Sequence, residues 1–118
     1  MLYLGAFLLV FIGCVHSFLG EKYILQRLFK RDNLPKLFGG TGFTKSTLRF
    51  AWHLTTLAWF GFAAILVYLA NPDNHLLSIN EIISVTFLAH SLVALIASKG
   101  KHLSWIVFLL VSVFVFIA

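Results

Sequence analysis

Carboxylates are scarce in this chain. Glu21, Asp32, Asp73 and Glu81 are all it has, against nine lysines and arginines in 118 residues, for a net charge of +5. None of the four lies inside a long apolar run. This argues against a carboxylate-bridged di-iron centre, which draws glutamates from several helices of a bundle. Cys14 is the single cysteine, so an internal disulfide is excluded; beside Gly13 it reads as a small packed residue. HExxH, CxxC and clustered histidine boxes are absent too, and with them the common zinc and thiol-redox motifs. Charged residues make up only 11% of the chain and hydrophobic ones 60%, too apolar a balance for a soluble domain of this length.

Four stretches carry no charge at all: Leu2 to Leu19, Phe50 to Ala70, Ile82 to Ala97 and Leu103 to Ala118. A membrane-spanning helix takes about 20 apolar residues, and about 17 is the usual lower bound. The two later runs are short, and flanking Ser98, Lys101 and His102 extend them by snorkelling or mild bilayer thinning. The expectation is an all-α membrane protein, a four-helix transmembrane bundle forming one domain, with spans at 2–19, 50–70, 82–98 and 102–118. No basic residue precedes Leu2, so the first run is expected to be a span rather than a cleaved signal peptide. The faint lipoprotein box Phe11-Ile12-Gly13-Cys14 is expected to stay uncleaved.

Loop charge sets the expected orientation. Residues 20–49 hold seven basic and two acidic side chains, residues 71–81 hold Asp73 and Glu81, and residues 98–102 hold Lys99 and Lys101. The positive-inside rule then places the first and third loops in the cytoplasm and both termini outside it. Topology and anionic lipid account for the net positive charge, so no nucleic-acid partner is implied.

Within the first loop, Glu21 to Arg31 places Ile24, Leu25, Leu28 and Phe29 among basic residues at helical spacing. This reads as an amphipathic cytoplasmic segment, lying on the membrane or extending helix one. Pro35 ends it. "FGGTGFTKST" has the look of a phosphate loop, but Thr44 stands where the motif needs glycine and no strand precedes it. The glycines are expected to make a turn, with Thr44 or Ser46 capping helix two. Asn71-Pro72-Asp73-Asn74 reads as an outer turn and Lys99-Gly100-Lys101 as a tight inner one. Gly5, Ala6, Gly13 and Gly20 give helix one a small-residue stripe that admits a close neighbour.

His75 falls in the outer loop and is expected to be solvated. The other four histidines fall one to a span. At 1.5 Å rise per residue, His16 and His53 lie roughly 5 Å and His90 roughly 10 Å from the cytoplasmic boundary, with His102 at the boundary itself. All four thus belong to the inner half of the membrane. Arg49, His53 and Thr56 share a face of helix two, and Thr86 and His90 lie on a polar, small-residue stripe of helix three. Ionisable groups at membrane depth are functional by default.

Imidazole ligates haem iron and transition metals, and helix bundles hold such groups between facing helices. The expected site is therefore a cytoplasmic-side histidine cluster. His53 with His90 or His16 would clamp a b-type haem, and Arg49, Lys99 or Lys101 would receive its propionates. A metal held by His16, His53, His90 and His102, or a quinone held by His and Arg, are the alternatives. The protein would then serve electron transfer. A different class of reading is an accessory subunit of a larger membrane complex without a cofactor, whose histidines only bond helix to helix. A third is a small-molecule or ion transporter. So small a bundle has little interior, so self-association or a partner subunit is expected beside the lipid, with Ser112 and the glycine stripe as contact faces.

"VHSFLGEKYIL", "LRFAWHLTTLAWF" and "LAHSLVALIASKGKH", with the four-span layout, are similar to small bacterial inner-membrane proteins that have no assigned activity. The resemblance covers nearly the whole chain. It implies a bacterial inner membrane and carries no mechanism.

Overall fold

A computed structural model describes residues 1–71, 73 and 76–118. His75, and Pro72 and Asn74 of the expected outer turn, lie outside the described residues. Among the rest there are four helices and no strand. The first, α1, runs through Leu2–Leu28. It is α-helical over Leu2–Leu19, π-helical over Gly20–Leu25 and α-helical again over Gln26–Leu28. Then come α2 at Gly42–Ala70, α3 at Ile79–Ser98 and α4 at Ser104–Ile117.

Local chemistry explains the ends. Ser78 and Glu81 form a reciprocal capping box: the Glu81 amide donates to Ser78 Oγ at 3.2 Å, and the Ser78 amide donates to Glu81 Oε2 at 2.7 Å. This satisfies amides that would otherwise be orphaned at the start of α3. Lys99 (φ 52°) and Gly100 (φ 77°) take left-handed conformations and stop the same helix. The amphipathic segment takes the second of its two expected forms, an extension of α1. One boundary differs from the sequence expectation. Helix α2 begins at Gly42, so Thr44 and Ser46 lie inside it and neither caps it; Thr44 Oγ1 donates to Pro35 O at 2.8 Å and Ser46 Oγ to Ala97 O. The polar residues 42–49 join the helix because nothing between Thr41 and the apolar run breaks it.

Each helix packs on its neighbour in sequence, α1 on α2, α2 on α3 and α3 on α4, and among the described residues α1 and α4 do not meet. The helices form an open row, 31 Å across its second dimension, where a closed bundle would join the first helix to the last. Small residues line each seam. A Cβ on Gly13 would come within 2.9 Å of Phe60, and one on Gly61 within 2.7 Å of Thr86. The glycine stripe of α1 therefore belongs to the α1–α2 seam. Ser112 belongs to the α3–α4 seam, 4% exposed, with Ser112 Oγ donating to Ser84 O at 2.8 Å and Ser84 Oγ to Ser112 O at 2.9 Å. Both were expected as outward contact faces, but close backbone approach between the chain's own helices consumes them. Replacing Ser84 with alanine is expected to weaken the α3–α4 pair by about 0.6 kcal/mol, the average for interhelical bonds in a membrane. A double-mutant cycle with Ser112→Ala in mixed micelles measures it.

Most large apolar side chains point outward, among them Phe7, Phe11, Phe18, Phe62, Ile96 and Phe114. Acyl chains solvate such a surface as well as a protein core does. Helices α1, α2 and α3 are long and apolar enough to cross a membrane, and α4, at 14 residues, is a shorter apolar helix.

Candidate functional site: a polar chain in the α1–α2 seam

The sequence places polar groups at one-turn intervals on two facing helices: Gly13, Ser17 and Glu21 on α1, and Arg49, His53 and Thr56 on α2. The antiparallel seam zips them together. Arg49 grips Glu21 with a fork, Nη2 to Oε1 at 2.8 Å and Nε to Oε2 at 3.1 Å. His53 Nε2 stands 3.4 Å from the same Oε2. His53 Nδ1 is 2.8 Å from Ser17 Oγ, which is 2.7 Å from Thr56 Oγ1, and Thr56 Oγ1 donates to the Gly13 carbonyl at 3.2 Å. The result is one unbroken chain: Arg49, Glu21, His53, Ser17, Thr56 and the Gly13 backbone. Thr56 is buried, while the Glu21 and His53 side chains keep 28% and 33% of their exposure.

Hydrogen counting gives the chain a direction. A carboxylate forked by a guanidinium only accepts, so His53 Nε2 carries a proton and points it at Glu21. Nδ1 is then the nitrogen free to change. In neutral imidazole it accepts from Ser17, and the single Thr56 proton chooses between Ser17 Oγ and the Gly13 carbonyl. In imidazolium it donates to Ser17, Ser17 donates to Thr56 and Thr56 to Gly13, so every contact is filled at once. A proton arriving at His53 would thus reorient two hydroxyls that reach towards the middle of α1, along the roughly 6 Å from Ser17 to Gly13. An open hollow of about 800 Å³, lined by Cys14, Ser17, Glu21, Lys22, Gln26 and His53 among others, gives outside access to this chain. Cys14 is exposed there rather than packed beside Gly13, because its side of α1 is turned away from α2.

A second set of contacts braces the first. The Trp52 indole lies parallel to the His16 ring, centroids 4.5 Å apart and planes 1° from parallel. Trp52 Nε1 donates to the His16 carbonyl at 3.1 Å, and His16 Nε2 sits 3.3 Å from the Trp52 carbonyl. A carbonyl only accepts, so Nε2 of His16 is the protonated nitrogen. The indole occupies the place where a Cβ on Gly20 would be, 2.6 Å from Cζ2. The π-helical turn opens at this residue, a local widening often found at functional sites.

The remaining histidines lie elsewhere. His90, 7% exposed, donates from Nδ1 to the Thr86 carbonyl at 2.8 Å and sits against Phe87 and Phe108. His102 Nδ1 pairs with Ser104 Oγ at 2.8 Å, its ring between Phe43 and Phe50. The structure therefore brings His16, His53 and Arg49 into one seam and leaves His90 and His102 outside it. Among the described residues no three metal-ligating side chains come together. Among the described residues His16, His53, His90 and His102 are thus not gathered into one four-histidine group. Both ring nitrogens of His53 and Nε2 of His16 are spoken for by Glu21, Ser17 and the Trp52 carbonyl, so ligation would break the chain. Arg49 is likewise held by Glu21 instead of standing free for a propionate.

The sequence reading had Arg49 and His53 on one face but gave Glu21 and Trp52 no part in the site. The signal for both was present. Ser17 and Glu21 are one turn apart on α1, as Arg49 and His53 are on α2, and Gly20 is a glycine with no turn to make. No protein-family model matches the chain, and neither does any curated protein or solved structure.

Proposed function

We propose that the α1–α2 chain is a proton-handling site and that the protein is a proton-coupled membrane transporter of the small, four-span kind. The observation that carries this reading is the continuity from Glu21 through His53 and Ser17 to Thr56. A half-buried imidazole linked to hydroxyls on one side and a carboxylate on the other is the donor–acceptor order of a proton relay. Glu21 and Arg49 hold the imidazole; His53 takes the proton; Ser17 and Thr56 pass its effect inward. In this reading α4 spans too, its 14 residues covering about 21 Å of a locally thinned bacterial inner membrane. Both termini then lie outside the cytoplasm, and the site lies on the cytoplasmic side, where the basic loops are.

The test is proton uptake into proteoliposomes carrying a pH-sensitive dye. Wild type is expected to dissipate an imposed pH gradient, and His53→Ala to fall to the rate of empty vesicles. Wild type that leaks no faster than empty vesicles contradicts the proposal. The open row of helices favours a second reading, an accessory subunit of a membrane complex. There, the polar chain is an interhelical clasp. That reading expects no flux from the isolated protein and loss of assembly on the same substitution.

A further inference from the structure

The glycine-rich loop that misses the nucleotide-binding pattern nonetheless builds a cavity. Leu37 to Gly40, with Gly42, Phe43 and Ser46 of α2, closes against Ala97, Ser98, Lys99 and Lys101 around a space of about 370 Å³. Its wall is set before any ligand arrives. Thr44 Oγ1 donates to the Pro35 carbonyl at 2.8 Å and Ser46 Oγ to the Ala97 carbonyl, tying the loop to α2 and α2 to α3. Phe38 (φ 53°), Gly39 (φ 86°), Lys99 and Gly100 hold left-handed backbone on the two sides. Lys101 Nζ lies 5.8 Å from the Phe38 ring centroid, over the loop. Two lysines therefore line the cavity, and none of the chain's acids does.

Two of the glycines have no internal reason to be glycine. Gly40 and Gly42 have ordinary φ values, and a Cβ on either would meet nothing within 4 Å. Neither strain nor packing excludes a side chain at these positions. Backbone left bare beside a cavity is what close approach by a group from outside the chain requires. With Lys99 and Lys101 facing the same space, that group is an anion, and a tetrahedral phosphate accepts from ammonium and amide donors together.

We propose that this cavity binds a phosphate group, carried by an anionic lipid headgroup or by a soluble phosphate. It shares no residue with the α1–α2 chain and stands independently of the proton-handling reading. The cavity sits at the basic loops, where the positive-inside rule puts the anionic inner leaflet.

The full chain would be reconstituted in nanodiscs of mixed phosphatidylglycerol and phosphatidylcholine, and lipid retention read by native mass spectrometry. Inorganic phosphate binding would be read by ³¹P relaxation in discs of phosphatidylcholine alone. Preferential retention of phosphatidylglycerol without phosphate binding identifies a lipid headgroup; phosphate binding in the neutral discs identifies a soluble group. Lys99→Gln with Lys101→Gln, both exposed positions, is expected to weaken whichever is seen by about fivefold per lysine. Gly42→Ala, whose methyl meets nothing of the chain within 4 Å, is expected to weaken it while leaving thermal stability unchanged. The proposal is overturned if the wild type prefers neither phosphatidylglycerol nor phosphate, or if both variants keep the wild-type preference.

Discussion

Gly20→Ala is expected to open the α1–α2 seam and lower stability by about 1–3 kcal/mol, the usual cost of forcing atoms into a packed site. The Trp52 indole fills the space a methyl would need. It cannot shift without losing its parallel contact with His16 and the bond from Nε1 to the His16 carbonyl. Glu21 follows Gly20 directly, so displacement of the indole also disturbs the carboxylate's approach to His53. Equilibrium unfolding in mixed micelles measures the loss. Gly40→Ala is the control: its methyl enters open space, and the change is expected to stay within about 0.5 kcal/mol. Equal effects at the two positions would mean that the indole does not pack as described.

The second large effect is functional. Glu21→Gln keeps the shape of the side chain and removes its charge. Arg49 then loses its fork partner, and His53 Nε2 faces an amide that can present either a donor or an acceptor. Proton flux in proteoliposomes is expected to fall by about 10²-fold or more, the scale on which a positioned acid–base group contributes to proton transfer. The double variant with His53→Ala should be no slower than either single one, because groups acting as a unit are not additive. Two losses that multiply would mean that Glu21 and His53 act separately. Because Arg49 and Glu21 are partly exposed, at 49% and 28%, their pairing should add little to stability, so this variant ought to fold.

Much of the fold was legible because a bilayer imposes length and polarity on its helices. The uncharged runs located all four helices, and the tight Lys99–Gly100 stop was readable from its glycine. The row was not legible. Which helices touch depends on seams that small residues permit without dictating, and the Ser84–Ser112 pair has no sequence pattern of its own. The site was half legible. Depth alone put His16, His53, His90 and His102 in the same half of the membrane, but depth says nothing about rotation about the helix axis. Rotation turns His53 towards Glu21 and Ser17 and keeps His90 between Phe87 and Phe108. Glu21 went unread because it lies just past the apolar run, where a charge is ordinarily a boundary marker. The π-helical turn at Gly20–Leu25 helps to seat it against α2.

Nitrogen-15 NMR of the histidine rings, with the protein in lipid bilayers and the pH varied, tests the central claim most directly. The account predicts that His53 Nε2 stays protonated throughout. Nδ1 should carry the shift of a hydrogen-bonded acceptor where the ring is neutral, and Ser17→Ala should remove that shift. An unprotonated Nε2 on His53, whether free or ligating a metal, would contradict the chain from Glu21 to Gly13.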